Sequence, residues 1–341
     1  MRVLVTGHNG YIGTVLTPML TAAGFDVVGL DTNWFTDCKF GPQPAEVPEI
    51  VKDYRDIEVH DLKDFDAVLH LANLSNDPMG DMDAELTYDI NHKASVRLAV
   101  LAKQAGVHRF VFSSSCSTYG AGGDGFLDEA ADFNPVTPYG ESRVWVERDL
   151  HGLADDRFSP VSLRNSTAYG VSPRLRLDLV LNNLVGWAMT TGKVVLLSDG
   201  TPWRPIVHIG DISRAFVAVL KAPREVIHDQ AYNVGRTANN YRIRDLAEIV
   251  AETVPDCEVE IAADAEPDKR TYRVDCSKIE NELPGWEPQW DAHKGARELY
   301  EAYSEYGLDE DAFQGPLYVR LKHLQGLISR GRMNSDLRWQ D

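Results

Sequence analysis

A serine, a tyrosine and an arginine in the first half of the chain have the types and spacing of a proton-transfer site. Ser115 follows the apolar run 109–113, and Tyr139 opens a predicted helix with Arg143 four residues later. Positions i and i+4 share one face of a helix, so Tyr139 and Arg143 can meet. A phenol is a poor base near neutral pH, and a fixed cation nearby favours its ionised form. We therefore predict proton transfer at a carbonyl or alcohol, although a polar loop with a surface Tyr–Arg pair is the commoner interpretation of such spacing.

The glycine-rich segment near the start of the chain is a second candidate site. Gly7, Gly10 and Gly13 follow the apolar run 2–6 at G-x-x-G-x-x-G spacing, and a helix-compatible apolar segment comes next. Glycine has no Cβ, so backbone N–H groups and a helix N-terminus can approach a pyrophosphate. A second apolar run ends in Asp31, close to the position where dinucleotide-binding folds place an acidic residue. A carboxylate there accepts hydrogen bonds from the ribose hydroxyls of NAD and disfavours the 2′-phosphate of NADP. The segment predicts an NAD site, the alternative being a glycine turn without a ligand.

Short apolar runs and helical patterns alternate through the first half of the chain. The runs are fairly continuous, as in buried parallel strands, and lie at 2–6, 26–30, 67–70, 109–113 and 160–164. Segment 84–105 has apolar residues at helical spacing and ends before Gly106. This alternation predicts an α/β fold, a Rossmann-type doubly wound parallel sheet with a smaller C-terminal substrate-binding lobe.

The pattern becomes irregular after about residue 165, which suggests the domain boundaries. We predict an NAD-binding Rossmann domain over 1–165, to which part of 203–235 returns, and a lobe that mainly binds substrate over 166–307. A basic tail, 308–341, has a role that the sequence does not indicate. A solvated helix is the favoured interpretation of its charges, with a clasp onto an acidic partner subunit or a lid over the substrate as alternatives. The charged residues concerned are Arg320, Lys322, His323, Arg330, Arg332 and Arg338.

Composition and charge exclude several classes of protein. The chain of 341 residues is 43% hydrophobic and 25% charged, which is ordinary for a globular protein. A net charge of −18 argues against nucleic acid or an anionic membrane as a partner. No apolar run approaches the ~20 residues that span a bilayer. The four cysteines have no C-x-x-C spacing and the ten histidines no metal-ligand spacing. We expect a cytoplasmic protein with reduced thiols, no signal peptide and no metal.

The order of these motifs over residues 1 to about 300 resembles that of extended short-chain dehydrogenase/reductases acting on nucleotide sugars, the epimerase/dehydratase type that includes UDP-glucose 4-epimerase. This resemblance implies that Ser115, Tyr139 and Arg143 are catalytic and that NAD is the cofactor. The cofactor-binding residues implied are Gly7, Asn9, Gly10, Tyr11, Ile12, Gly13, Asp31, Asp53, Tyr54, Leu71, Ala72, Asn73, Asn91, Ser113, Tyr139 and Arg143. The implied and candidate substrate contacts are Ser75, Asn76, Ser115, Cys116, Ser117, Thr167, Asn182, Arg204 and Arg270.

The chemistry implied by the resemblance is removal of a hydride from a sugar carbon by NAD, which leaves a keto intermediate. Tyrosinate takes the hydroxyl proton, and serine hydrogen-bonds to the same oxygen. Return of the hydride to the opposite face gives an epimerase, prior loss of water a dehydratase, and an external hydride a reductase. We predict an NAD-dependent nucleotide-sugar epimerase, with an NAD(P)H-dependent ketoreductase or a non-catalytic NAD-responsive binding protein as alternatives. The resemblance also implies a homodimer, paired through helices near 84–105 and 139–150.

Three features of the sequence, at four positions, depart from the family pattern. Arg143 stands where the family has lysine, so a positive charge is retained but a proton relay through this residue is lost. Cys116 and Ser117 stand where 4,6-dehydratases carry an Asp-Glu pair, which argues against dehydration. Thr167 occupies the position of an asparagine in the galactose-type epimerases, which weakens the case for UDP-glucose itself as the substrate.

Overall fold

The computed structural model describes residues 1–80, 82–123, 125–196, 198–262 and 271–340. Its strands are β1 (Arg2–Thr6), β2 (Asp26–Asp31), β3 (Glu49–Val51), β4 (Ala67–His70), β5 (Arg109–Ser115), β6 (Phe126–Leu127), β7 (Ser159–Asn165), β8 (Thr167–Tyr169), β9 (Lys193–Leu196), β10 (Trp203–His208), β11 (Gln230–Val234), β12 (Asn240–Arg242), β13 (Glu258–Ile261) and β14 (Arg273–Val274). Its α-helices are α1 (Gly13–Ala22), α2 (Asp77–Gly80), α3 (Ala84–Tyr88), α4 (Ser95–Ala105), α5 (Pro138–Leu153), α6 (Val180–Thr191), α7 (Ile209–Lys221), α8 (Arg224–Ile227), α9 (Ile243–Thr253), α10 (Ser277–Glu282), α11 (Ala292–Tyr306), α12 (Glu310–Gln314) and α13 (Arg320–Ser329).

A seven-stranded parallel sheet forms the centre of the larger domain. Its strand order is β11-β7-β5-β4-β1-β2-β3, and every neighbouring pair is parallel. The chain runs from β1 outward to β3 and then continues from β4 on the other side of β1. This reversal creates a crevice at the carboxyl ends of β1 and β4, where doubly wound sheets bind their ligands. The predicted Rossmann-type fold is confirmed.

Both faces of the sheet are covered by apolar side chains, as expected of a central parallel sheet. Along β1, Val3 and Val5 pack with Leu16 of α1 on one face. The alternate residue Leu4 packs with Leu98 of α4 on the other face. All five side chains have no exposed surface. This packing holds the sheet and α1 in a fixed relation, which positions the glycine turn between them.

The predicted helix over 84–105 is three elements rather than one. α3 is followed by a π-helical segment, Asp89–Ala94, and then by α4, which ends at Gly106 in the left-handed conformation as predicted. Within the π-helical segment, Asn91 accepts a hydrogen bond from Leu74 N at 2.8 Å and donates one to Leu74 O at 2.9 Å. The apolar periodicity could not predict this π-helical segment, because it gives no information about the contact of Asn91 with the loop that follows β4.

The smaller lobe is built from residues after β7. It contains the three-stranded sheet β12-β10-β8 and the pair β13-β9. Leu181 and Val185 of α6, Leu246 of α9 and Leu299 of α11 are fully buried in its core. β11 belongs to the central sheet instead, so the chain returns to the larger domain after building part of the smaller one. Within the described residues, no helix combines the length and apolar character needed to cross a membrane.

The C-terminal segment packs against the larger domain. Leu324 and Leu327 of α13, together with Met333 and Leu337, are buried in the same core as Leu98. The prediction that the tail charges lie on a solvated helix is therefore wrong for Arg320 and His323, whose exposed fractions are 2% and 6%. The tail packs onto the larger domain because its apolar residues are part of that domain's core.

Exposed charges occupy the outer side of the same segment, at Lys322, Arg330 and Arg332. Its end reaches the loops that follow β2 and β3. The Trp339 indole N–H donates to Thr32 O at 2.6 Å, and Arg338 forms an ion pair with Asp53 at 3.0 Å. The tail thus borders the edge of the sheet where the sequence predicts the adenosine end of NAD.

Candidate active site

A cavity of about 750 Å³ opens at the carboxyl ends of the central strands, and the smaller lobe contributes to its wall. This volume is within the usual range for small-molecule sites. The predicted site residues that line it are Gly7, Gly10, Tyr11, Ile12, Gly13, Asp31, Asp53, Tyr54, Leu71, Ala72, Asn73, Ser75, Asn76, Ser113, Ser115, Ser117, Tyr139, Arg143, Thr167 and Arg204. Asn9, Asn91, Cys116 and Asn182 are absent from its wall. Arg270 lies outside the described residues.

The glycine turn leaves open space at the amino end of α1. Gly7 has a φ of +73°, and a Cβ built on it would lie 2.8 Å from Ala72 N. A Cβ on Gly13 would lie 2.3 Å from Gly7 O. The N-cap residue Ile12 makes no side-chain hydrogen bond to the first turn of the helix. The first-turn N–H groups therefore have no capping side chain at a cavity wall suited to an anion.

Two carboxylates lie where the adenosine ribose is expected. Asp31 accepts hydrogen bonds from Asn9 N at 3.0 Å and from Asn33 N at 2.9 Å. The Asn9 amide also donates to Glu49 at 3.2 Å, so Asn9 orients acidic groups from behind the wall. Burial raises the pKa of the Asp31 carboxyl, and the bonds from Asn33 and Asn9 oppose this. Two acidic groups disfavour a 2′-phosphate at this position.

The predicted cofactor-binding residues Asp53 and Tyr54 are both held by contacts within the protein. Asp53 lies in the cavity wall, and its carboxylate pairs with Arg55 at 2.7 Å and with Arg338 at 3.0 Å. Tyr54 is buried and donates its hydroxyl hydrogen to Ile90 O at 2.5 Å. These contacts fix both side chains before any ligand binds.

Ser115 and Tyr139 reach the cavity from two neighbouring elements. Ser115 is the last residue of β5, and its hydroxyl accepts a hydrogen bond from Ser117 N at 3.1 Å. Tyr139 lies in the first turn of α5, after Pro138. Thr137 caps this helix, because its hydroxyl accepts a hydrogen bond from Gly140 N at 3.2 Å. The cap and the proline fix where α5 begins and hence where Tyr139 enters the site.

Arg143 is a buried cation beside Tyr139. Its Cζ lies 4.7 Å from the Tyr139 ring centroid and 5.3 Å from that of Phe112. One guanidinium nitrogen, Nη1, donates to Ser113 O at 3.4 Å, while Nε has no hydrogen-bond partner within the described chain. Only 2% of the residue is exposed. A cation held this way can stabilise negative charge on the phenol oxygen of Tyr139.

His70 lies below this group and is held neutral. Its ring nitrogens are each 2.7 Å from a hydroxyl, that of Thr6 and that of Ser95. Burial, together with the charge of Arg143, lowers the pKa of His70 to about 3. His70 is therefore uncharged near neutral pH.

Cys116 and Ser117 differ in where their side chains lie. Cys116 is fully buried, and its thiol donates to Arg164 O at 3.1 Å. Burial raises the pKa of the Cys116 thiol to about 12, so it stays protonated near neutral pH. The thiol does not reach the cavity, in contrast to the predicted substrate contact. Ser117 does line the cavity, and its buried hydroxyl has no partner among the described residues.

Asn91 and Asn182 support the wall from behind instead of forming it. Asn91 holds the loop at Leu74, as described above. The Asn182 amide donates to the Tyr11 hydroxyl at 3.1 Å and accepts a hydrogen bond from Gly170 N at 3.0 Å. The next residue, Asn183, lines the cavity. One step along a helix turns a side chain by about 100°, so Asn183 reaches the cavity while the predicted residue Asn182 does not.

Sequence reasoning missed several residues of the cavity wall. Trp34, Arg176, Tyr272 and Arg320 all line it. Arg176 pairs with Asp178 at 2.9 Å and donates to the Ser75 hydroxyl at 3.1 Å. The only sequence signal for Arg176 was an Arg-x-Asp pair before α6. This signal is weak, because the pair belongs to no local motif.

Unpartnered polar atoms in the wall test whether a dinucleotide fits. Both amide atoms of Asn73, Oδ1 of Asn165 and the indole nitrogen of Trp34 are buried without a hydrogen-bond partner in the described parts of the chain. Buried polar atoms of native proteins are nearly always hydrogen-bonded, so these atoms indicate a polar ligand. Together with the open glycine turn and Asp31, they fit NAD.

Metal ligands are not grouped in the described ranges, which contain no cluster of three or more His, Cys, Asp or Glu side chains able to hold an ion. The polar wall groups described above are instead those of an organic ligand with phosphate and hydroxyl groups.

The fold and site define a dinucleotide-binding protein of the Rossmann class, and comparisons with known proteins place it in a family. The family model "NAD dependent epimerase/dehydratase family" matches residues 3–235. The chain is 27% identical over 334 residues to UDP-glucose 4-epimerase of Neisseria gonorrhoeae, covering 88% of this chain and 96% of that one. It is 30% identical over 267 residues to UDP-glucose 4-epimerase of Neisseria meningitidis serogroup C, covering 69% and 77%. The chain belongs to the NAD dependent epimerase/dehydratase family, and NAD is its cofactor.

Solved structures of similar proteins agree with this assignment. MoeE5 in complex with UDP-glucuronic acid and NAD is 27% identical, with a TM-score of 0.75, and covers 89% of this chain and 99% of its own. The predicted resemblance to nucleotide-sugar enzymes of the extended short-chain dehydrogenase/reductase type is thus confirmed. The protein is an enzyme of this family. Its relatives are not all epimerases. The chain is also similar to UDP-glucuronic acid decarboxylase 1 of Arabidopsis thaliana, with 26% identity over 324 residues, which cover 92% of this chain and 72% of that one.

Proposed function

We propose that the protein is an NAD-dependent epimerase of a nucleotide-activated sugar, acting through a transient keto intermediate. The observation that carries this proposal is the presence of Ser115, Tyr139 and Arg143 in the wall of one cavity with the glycine turn. NAD, when bound, supplies an acceptor for the hydride of a sugar carbon and a donor for its return.

Tyr139 acts as the base in this proposal and takes the proton of the reacting sugar hydroxyl. Ser115 hydrogen-bonds to the same oxygen, and its own hydroxyl is oriented by Ser117 N. Arg143 stabilises the phenolate through its position over the Tyr139 ring. Its planar guanidinium retains its proton throughout, so the proton from Tyr139 passes to solvent or returns to the sugar oxygen without moving through Arg143.

The residues after Ser115 favour epimerisation over elimination of water. Cys116 is buried as a neutral thiol, and Ser117 is a hydroxyl. Neither supplies the carboxylate acid and base expected of a 4,6-dehydratase. The acidic pair Asp31 and Glu49 favours NAD over NADP, which agrees better with a cofactor recycled in place than with a consumed reductant.

A nucleotide diphosphate is the part of the substrate that the arginines would recognise. Arg204 lies in the cavity wall with Tyr272 and Thr167, on the side supplied by the smaller lobe. We assign the substrate diphosphate to Arg204 and Arg270, and the sugar to Ser75, Asn76, Ser115, Ser117 and Thr167. Relatives that act on UDP-glucose and a neighbour that binds UDP-glucuronic acid support a UDP-sugar as the first substrate to test.

The experiment is incubation of the purified enzyme with single UDP-sugars, followed by chromatography and mass spectrometry without added cofactor. An epimerase gives an isomer of unchanged mass and retains a deuterium placed on the reacting carbon. A product lighter by one water would establish a dehydratase, and a product formed only with added NADH or NADPH a ketoreductase. NAD binding without any conversion would leave the non-catalytic binding protein. Denaturation of fresh enzyme should release NAD in stoichiometric amount.

We also propose that the enzyme is a homodimer paired through α3–α4 and α5. Trp145 of α5 packs against Tyr88 and His92, with ring centroids 4.7 Å and 5.4 Å apart, and forms a half-buried aromatic surface on these helices. Sedimentation velocity should give the mass of two chains, and replacement of Trp145 with lysine should shift it to one. A monomeric parent protein would contradict the proposal.

A further inference from the structure

Arg320, the first residue of α13, extends from the C-terminal tail into the cavity wall. Its Cζ lies 4.3 Å from the Phe35 ring centroid, and Nη2 donates to Arg174 O at 2.7 Å. The other terminal nitrogen, Nη1, is buried and has no hydrogen-bond partner among the described residues. The guanidinium is therefore hydrogen-bonded at one terminal nitrogen and unpaired at the other, and its charge acts on the nearby Cys38 thiol.

The charge of Arg320 is compensated only in part, by Asp178 at longer range than an ion pair. Two other buried arginines pair with acids, Arg164 with Glu147 at 2.7 Å and Arg176 with Asp178 at 2.9 Å, whereas buried Arg143 has no acidic partner within the described ranges. In the part of the chain that the structure describes, no carboxylate lies within ion-pair distance of Arg320. Burial, with a smaller effect of neighbouring Arg176, lowers its pKa to about 10. A buried cation is costly unless an anion pairs with it, so this position calls for a negatively charged ligand.

The surroundings of Arg320 indicate which anion it meets. Phe35, under its guanidinium, belongs to the loop that leaves β2 after Asp31, where the NAD ribose is expected. The charge of Arg176 acts on Arg320, and the Cζ of Arg176 lies 6.0 Å from the ring centroid of Tyr11 in the glycine turn. The diphosphate of a dinucleotide lies at the amino end of α1, next to this turn. Arg320 thus borders the cofactor half of the cavity.

We propose that Arg320 is a ligand of the dinucleotide diphosphate, supplied to the Rossmann domain by the C-terminal tail. Its free Nη1 donates to a phosphate oxygen, and the ion pair formed compensates the buried charge. The tail then contributes to cofactor binding at two places, through Arg320 at the diphosphate and through Arg338, which holds Asp53, at the adenosine end. The diphosphate of the nucleotide sugar has the same chemistry, and the test separates the two sources.

The test compares Arg320→Met and Arg320→Lys with the parent protein, after removal of bound nucleotide, by isothermal titration calorimetry. Lys322→Met is the matched control, because Lys322 carries the same charge on the exposed side of α13. The probes are NAD, ADP-ribose, adenosine and UDP. We expect Arg320→Met to lower the affinity for NAD and ADP-ribose by about tenfold or more. The affinities for adenosine and UDP should change less than about twofold. Arg320→Lys should bind NAD more tightly than Arg320→Met.

Three results for Arg320→Met would overturn the proposal: an unchanged affinity for NAD, an equal loss of affinity for adenosine and NAD, or a loss of affinity for UDP alone. Equal loss would mean that the residue only supports the loop at Phe35, and a loss for UDP that the substrate diphosphate is its partner. All these measurements concern binding alone, so they stand whether or not the enzyme proves to be an epimerase. An equal NAD affinity in Arg320→Lys and Arg320→Met would also contradict a role for the charge.

Discussion

The Arg143 guanidinium lies over the ring of Tyr139, four residues earlier in α5, with its Cζ 4.7 Å from the ring centroid. The same guanidinium rests on Phe112 of β5 and is almost completely buried. A cation with so little exposure to water is screened weakly by solvent. This pair is the basis of the first two predictions.

Replacement of Tyr139 with phenylalanine should abolish turnover and leave NAD binding intact. The change removes only the hydroxyl that takes the sugar proton, and the aromatic ring stays in place under Arg143. We expect a fall in kcat of about a thousandfold or more, within the range for loss of a general base. The measurements are kcat on the converted nucleotide sugar and NAD affinity by calorimetry. Unchanged turnover would show that Tyr139 is not the base.

Replacement of Arg143 with lysine should preserve or raise activity, whereas Arg143→Met should lose it. Lysine retains the charge near Tyr139, and methionine fills similar space without charge. We expect Arg143→Met to lower kcat by roughly a hundredfold, because the phenolate is no longer stabilised. Comparison of kcat with KM for both variants measures this. Complete inactivity of Arg143→Lys would show that the planar guanidinium has a specialised role, for example at Ser113 O.

His70 should make the protein less stable in acid. Imidazoles in the unfolded chain titrate near 6.5, while the pKa of His70 in the folded protein is about 3. Between these values the unfolded chain binds more protons, so the free energy of unfolding falls as the pH is lowered through this range. The contribution of His70 is roughly 3 kcal/mol between pH 7 and pH 4.

Urea unfolding at several pH values in this range tests the role of His70. The His70→Gln variant, which keeps a donor and an acceptor but does not titrate, should lose stability less steeply than the parent. His60→Gln is the control, since His60 is exposed. Equal pH dependence in His70→Gln and the parent would contradict the prediction.

Asn182 and Asn183 should differ in what their loss affects. Asn182→Ala removes the bonds to the Tyr11 hydroxyl and to Gly170 from a fully buried position. We expect the free energy of unfolding to fall by about 2–3 kcal/mol, as for loss of a buried polar partner. Asn183→Ala, at the cavity wall, should lower stability by less than about 1 kcal/mol and raise KM for the nucleotide sugar. Denaturant unfolding and steady-state kinetics of both variants give the comparison, and equal stability losses would contradict it.

Much of the cofactor site could be predicted from the sequence because local geometry decides it. The spacing of Gly7, Gly10 and Gly13 is set by the close approach of backbone atoms within one turn, and Asp31 follows directly from the end of the next strand. Ser115 and Tyr139 were identified in the same way, from a strand end and a helix start.

Side-chain direction could not be predicted at single-residue resolution. Cys116 was expected at the substrate, but its side chain turns into the core because Ser115 begins a short 3-10 turn at the end of β5. Apolar periodicity also could not predict the π-helical segment that carries Asn91, because Asn91 contacts Leu74, which lies in a separate loop.

The residue pattern alone was enough to predict the Rossmann-type fold, the NAD turn and the strand and helix ends that carry Ser115, Tyr139 and Arg143. Each follows from backbone sterics or hydrophobic periodicity over a few consecutive residues. Only the tertiary structure brought Arg176 and Arg320 to the cavity and buried the tail in the core of the larger domain. These contacts join residues far apart in the chain, and their free energy comes from packing and from charges that meet only when the chain is folded.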